Sequence, residues 1–417
     1  MNFLIHILLL IWMILVLAGM KKGFSIKELF SASLSGVKTT SKVLFVFSLI
    51  GPLTALWRAC GTIPIIICYA TKLIHPSYYV LATFLLNCAV SYLTGTAFGT
   101  AATMGTICMA ISSALQINPL WTGGAVMSGI YFGDRCSPMS TSALLVSTVT
   151  KTDLYDNIKT MFQTAQIPFM ISCILYFFIG LCINTSGKLP DTESIFATEF
   201  NLNPVCLLPA VLILLLSLIH IPVTKAIPVS ILAAFIIGIR IQHLSVHELF
   251  STMFFGYQAN SSKLAAMLNG GGFLSMYRLA MNVCIVACCS ELLQKLGFLS
   301  QIHDLIRKWS KKITPYGAIL LSSIITGAIT CNQTVTIMLT NQLCNDLEPD
   351  EAKLASFLEN TAVVIAPMIP WSVACLTPLT SINAPLTCIF TAFYLYLIPI
   401  CQFLTIKLSF PFNNSYM

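Results

Sequence analysis

The chain has 417 residues, of which 57% are hydrophobic and 9% charged, and its mean hydropathy is +0.85. Soluble domains carry about a quarter charged residues, so a water-facing surface is excluded and lipid must be the solvent. The net charge of +7 sits in short segments beside apolar runs, which reads as positive-inside anchoring and excludes a nucleic-acid-binding role.

At roughly 20 apolar residues per span there is room for about ten to twelve membrane segments. The expected fold class is an all-α polytopic membrane protein. The first run, 2–19, has no basic residue ahead of it and no small-residue cleavage site, so it reads as a retained span rather than a signal peptide. Further runs lie at 43–57, 78–95, 97–114, 167–183, 205–220, 226–239, 276–293, 316–342 and 385–406. The stretches 61–74, 121–132, 138–149 and 354–380 are apolar but short or broken by Gly and Pro. They point to discontinuous or re-entrant helices, because bare backbone at membrane depth is tolerated only when buried in protein or lining a cavity. The sixteen cysteines lie mostly inside apolar runs, without CxxC pairs, and read as small hydrophobes. No cofactor is expected.

Three echoes recur in the same order. "SIKELFSASLSG" at 25–36 matches "SVHELFSTMFFG" at 245–256, "YLTGTAF" at 92–98 matches "SIITGAI" at 323–329, and "CSPM" at 136–139 matches "IAPMIPW" at 365–371. They imply a duplicated unit, with repeats at 1–183 and 204–408, a polar linker at 184–203 and a tail at 409–417. Lysine-rich 20–42 and basic 303–312 are expected on the cytoplasmic side, and acidic 188–199 and 345–353 outside. Walking the spans from these anchors leaves 25–36 inside and 245–256 outside, so the repeats are expected to be inverted.

Three of the fifteen acids lie in apolar context: Asp134, Glu291 and Glu359. A carboxylate at bilayer depth costs a few kcal/mol even on the lenient insertion scale, so such residues are functional candidates by default. Lys295 stands four residues after Glu291, the spacing of an i,i+4 ion pair. Asp134 lies between Gly133 and Ser137-Pro138, where an irregular backbone would free carbonyls for an ion; Arg135 is either its counter-charge or half of an interfacial pair. Glu359 precedes Pro367 and Pro370, and the alternative there is a helix-capping role. Thr94, Thr96, Thr100, Thr103 and Thr106, with Asn332, Gln333, Thr334 and Thr336, surround these acids with hard oxygen ligands suited to alkali cations. Individually, the threonines are better accounted for by bonds to their own helix carbonyls.

Residues 128–158, "SGIYFGDRCSPMSTSALLVSTVTKTDLYDNI", resemble the NhaC-type sodium/proton antiporter signature Gly-Asp-Lys-x-Ser-Pro-x-Ser-Asp. "YLTGTAFGTAATMG" is similar to that family's Thr-Gly-Thr-Ser-x-Gly-Thr segment, and "LENTAVVIAPMIPW" to its Glu-Asp-Ser-Gly-Thr…Ser-Pro-x-Ile-Pro-Trp segment. The resemblance runs from about Gly19 to Ser381. It implies an inverted-repeat architecture and a family that also holds exchangers of organic acids. Thr141, Asn332 and Asn360 stand where the family typically has aspartate, while Asp134, Glu359, Ser137, Pro138, Pro367, Pro370 and Trp371 are kept.

The resulting expectation is a secondary sodium/proton antiporter of a bacterial inner membrane, not an enzyme, with a homodimer admitted. One buried carboxylate would be shared by cation and proton, which requires its protonation to fall near working pH. Asp134 is the first choice and Glu359 the second, with Ser137, Thr96, Asn332 and Asn360 as further ion or proton ligands. The alternative is an organic-acid or amino-acid exchanger on the same scaffold, with Arg135, Thr141 and Gln333 receiving the solute. An intramembrane aspartyl protease needs a facing Asp pair, and Asp156 lies in a charged loop. A channel fits broken inverted repeats less well than alternating access does.

Overall fold

In the computed structural model, the described residues are 2–183, 192–297 and 314–409, apart from positions 40, 74, 220, 262, 263, 266 and 267. Among them the regular structure is helical, with one antiparallel bridge between Tyr257 and Gly270. The chain opens with α1 (Asn2–Lys21), α2 (Ile26–Thr39), α3 (Ser41–Ala59) and α4 (Thr62–Leu73). Then come α5 (Pro76–Thr94), α6 (Ala97–Ala114), α7 (Pro119–Cys136), α8 (Thr141–Thr150) and α9 (Leu154–Cys182). Short α10 (Thr192–Phe196) precedes α11 (Leu208–Leu218), α12 (Val223–Arg240), α13 (Val246–Phe255) and α14 (Phe273–Lys295). The chain ends with α15 (Pro315–Thr330), α16 (Gln333–Cys344), α17 (Glu351–Met368), α18 (Val373–Ser381) and α19 (Phe393–Ser409).

Three helices, α5, α6 and α9, are long and apolar enough to cross a bilayer, and the bent pairs α3–α4 (66°) and α17–α18 (58°) raise this to five among the described residues. That is fewer than the apolar runs suggest; the run 316–342, for example, is divided into helices of 16 and 12 residues.

The first echo has a local physical cause. Ser25 and Ser245 each begin a helix, and the carboxylates of Glu28 and Glu248 accept from their backbone N–H groups at 2.8 and 2.7 Å. Each serine hydroxyl in turn accepts from the glutamate's N–H at 3.3 and 3.2 Å, the reciprocal capping box. One turn on, Leu29 and Leu249 are fully buried, and each packs over a glycine of the preceding helix, Gly19 or Gly238. The two segments lie at opposite ends of α14. The Lys295 ammonium donates to the Glu28 carbonyl at 2.9 Å, while Phe254 stacks on Phe273 at 5.6 Å. From Phe273 to Lys295 a helix rises about 33 Å at 1.5 Å per residue. Lys295 thus turns to the Glu28 carbonyl and the face of Phe24 (5.7 Å), and the expected ion pair with Glu291 is not formed.

Two antiparallel hairpins follow the same scheme. In α5–α6 the Thr94 and Thr100 hydroxyls pair at 2.9 Å, and Asn87 donates to the Cys108 sulfur at 3.5 Å. In α15–α16, Thr330 pairs with Thr336 at 2.8 Å, Thr326 with Thr340 at 2.8 Å, and Cys344 with Ser322 at 3.2 Å. Each tip turns through a left-handed residue, Gly95 (φ 63) or Cys331 (φ 56). Gly95 is also pressed on Met139, where a Cβ would come within 2.6 Å of the backbone oxygen. The structural counterpart of Thr94-Gly95-Thr96 is therefore Thr330-Cys331-Asn332, whereas Thr326-Gly327 lies inside α15.

The hairpins start at opposite ends of α9. Tyr78 stacks on Phe177 at 5.8 Å at one end, whereas Pro315 and Tyr316 share a cleft with Thr160 and Thr164 at the other. Glu348 and Lys353 line that same cleft. Residues 303–312, expected on the cytoplasmic side, lie outside the described residues.

Candidate functional site

α7 reaches the middle of the bundle because its glycines let it lie directly on α5. A Cβ at Gly129 would come within 2.7 Å of the Phe84 carbonyl, and one at Gly133 would strike Ser91 and Tyr92. α7 then stops at Cys136, and Ser140 caps α8 through its hydroxyl, which accepts from the Ser142 and Ala143 N–H groups. Asp134 is held in that break. Its carboxylate accepts from the Ser142 hydroxyl at 3.1 Å and from the Gln333 side-chain amide at 3.2 Å. The same amide donates to the Val363 carbonyl at 3.0 Å, tying the second hairpin tip to α17.

Asp134 lines a cavity of about 120 Å³ together with Thr96, Thr141, Asn332, Gln333 and Thr334. Every other wall residue is the cap or one of the first residues of a helix. Thr96 caps α6, whose Ala97 and Phe98 follow; Thr141 opens α8; Asn332 caps α16; Val373 and Ala374 open α18 behind their cap Ser372. Four helix N-termini, each a region of partial positive charge, thus converge on one carboxylate. Thr96, Phe98 and Thr141 also border a larger apolar cavity of about 350 Å³ that continues to Met139 and Pro222. Among the described residues no cluster of His, Cys, Asp and Glu is arranged to hold a metal.

The remaining candidates stand behind this wall. Arg135 is fully buried, and its guanidinium donates to the Glu359 carbonyl (3.3 Å), the Met161 carbonyl (3.1 Å), the Tyr394 hydroxyl (3.3 Å), the Thr164 hydroxyl (2.7 Å) and the Asn360 side-chain oxygen. Its partners are all neutral, and it is not among the residues that line the cavity. Glu359 is fully buried, and neither carboxylate oxygen has a hydrogen-bond partner. Ser137 is buried and its hydroxyl accepts from the Met139 N–H at 3.1 Å. Thr100, Thr103 and Thr106 bond to carbonyls of their own helix at 2.9, 2.9 and 3.0 Å, which is the structural role weighed for them.

Sequence reasoning missed Ser142, Thr164 and Tyr394. Ser142 carried a usable signal, since it follows an N-cap serine eight residues after Asp134. The other two come from helices far along the chain.

A helical, lipid-solvated bundle with a buried carboxylate at converging helix breaks belongs to the class of integral, multi-pass membrane transporters. The chain is a member of the Na+/H+ antiporter family, whose sequence model matches residues 129–410; it is not an enzyme. It is 28% identical over 375 residues to the malate-2H+/Na+-lactate antiporter of Bacillus subtilis, covering 87% of this chain and 80% of that one. It is 28% identical over 357 residues to the Na+/H+ antiporter NhaC of Alkalihalophilus pseudofirmus, covering 83% and 77%. It is also 27% identical over 372 residues to the arginine/ornithine antiporter ArcD of Halobacterium salinarum, covering 86% and 76%.

Proposed function

We propose that the protein exchanges sodium for protons by alternating access, with the two ions competing for Asp134. The observation that carries this is the position of Asp134, the one acid on the wall of the cavity where four helix breaks meet. Thr96, Thr141, Asn332 and Gln333 would supply neutral oxygen ligands, which suit a hard cation.

The proposed architecture is a pair of inverted repeats. α1–α2–α3 would correspond to α12–α13–α14, the hairpin α5–α6 to α15–α16, and α7–α8–α9 to α17–α18–α19, leaving α11 outside the second unit. The capping boxes at opposite ends of α14 and the hairpins starting at opposite ends of α9 support this reading. The five lysines of 20–42 favour the α2 end as cytoplasmic. The bacterial relatives favour an inner-membrane location.

The test is purified protein in liposomes holding a trapped pH dye, challenged with sodium, lithium, potassium, malate, lactate and amino acids. Proton movement in answer to sodium supports the reading, and proton movement answering only to an organic solute sinks it. The second reading, exchange of a small organic anion, is favoured by one observation: the converging N-termini offer backbone N–H groups to a carboxylate.

A further inference from the structure

Among the described residues only three charged side chains are buried: Asp134, Arg135 and Glu359. They form one electrostatic unit. Arg135 adjoins Asp134 in the chain and donates to the Glu359 carbonyl at 3.3 Å, and Gln333 bridges the Asp134 carboxylate to the carbonyl of Val363, four residues after Glu359. The groups around them, Tyr131, Cys136, Thr164, Tyr316, Asn360 and Tyr394, are neutral. Arginine stays protonated in proteins, so the unit carries a formal charge of −1 when both carboxylates are ionised. One added positive charge, a proton or a monovalent cation, brings it to zero.

We propose that Arg135 is a resident counter-ion that fixes the exchange at one cation for one proton, moving no net charge. A net charge in a dry interior is strongly disfavoured, so the loaded unit crosses as a neutral assembly and the empty, negative unit does not. Exclusion of the empty crossing is what couples the two ions. Glu359 is essential to this count although it lies off the cavity wall: without it the empty unit would already be neutral. Asn360 sets the same count from the other side, since its side-chain oxygen accepts from Arg135 and an acid there would lower the unit to −2.

This inference rests on the sodium/proton reading, and its test separates the two. Sodium-driven proton movement is measured in liposomes whose membrane potential is clamped at several values with potassium and valinomycin. The expected result is an exchange rate unchanged across the potentials, with Hill coefficients near one for both ions. Glu359→Gln should then lose sodium-driven proton movement, because its empty unit is neutral and crosses alone while its loaded unit carries +1 and does not. Asn360→Asp should raise the proton Hill coefficient toward two. An exchange rate that follows the potential in the parent, or a folded Glu359→Gln that keeps full coupling, overturns the inference while leaving the exchange reading intact. Absence of sodium-driven proton movement removes both.

Discussion

Gln333 and Asp134, 199 residues apart in the chain, are joined by a 3.2 Å hydrogen bond from the glutamine amide to the aspartate carboxylate. This bond ties the tip of the second hairpin to the break after α7, so in the proposed mechanism an ion at Asp134 would act on both halves of the chain. Gln333→Ala removes that donor and the tie to Val363. Apparent sodium affinity should change several-fold with little change in yield, read from the sodium dependence of exchange in liposomes. An unchanged affinity would show that the hairpin tip does not report on Asp134.

Asp134→Asn should abolish coupled proton movement. The matched control is Asp153→Asn, because Asp153 caps α9 by accepting from the Tyr155 and Asp156 N–H groups at 2.8 and 3.1 Å, and asparagine caps as well. Exchange should survive in the control and vanish at Asp134. Equal activity in both variants would remove Asp134 from the site.

Thr141 and Asn332 line the cavity beside Asp134, each at a helix N-terminus where a carboxylate is welcome. Thr141→Asp and Asn332→Asp should therefore fold, and each should tighten apparent sodium affinity by adding an anionic ligand. Monodispersity on gel filtration checks the fold and sodium titration checks the effect. A well-folded Thr141→Asp with the parent's sodium response would place that residue away from the transported ion.

The proposed inverted arrangement predicts labelling from opposite faces of the membrane. Lys27 and His247 occupy equivalent places in the two capping-box helices, and both are exposed. Single cysteines there, in a background cleared of reactive thiols, should react with an impermeant maleimide from opposite sides. Reaction from one side alone would remove the inverted repeat.

The two capping boxes also predict an acid limit. The Ser25 N–H, then its hydroxyl, holds the Glu28 carboxyl below the usual range, and the Ser245 hydroxyl, then its N–H, does the same for Glu248. A lowered folded-state value means the caps stabilise above the unfolded carboxylate's range and weaken as pH falls below roughly 4. The hydrogen-exchange protection factors at Leu29 and Leu249 should fall on acidification in the parent. In Glu28→Gln and Glu248→Gln, which keep a capping side chain without a titrating group, that protection should be nearly insensitive to pH.

The sequence by itself determined the solvent, the helical class, the family and the candidate residues, because each rests on local information. A 9% charged fraction decides for lipid, the Ser-x-x-Glu-Leu-Phe echo is a capping box that closes within one turn, and Asp134 beside Gly133 and Ser137-Pro138 announces a break. Only the tertiary structure decided which candidates share a cavity. Thr96, Asp134, Thr141, Asn332 and Gln333 meet because Gly129 and Gly133 let α7 lie on α5 and because two hairpin tips arrive from opposite ends of the bundle. The same packing kept Arg135 off the wall of that cavity and left Glu359 buried without a hydrogen-bond partner. Those outcomes depend on contacts between residues on different helices, far apart in the chain, which no local pattern encodes.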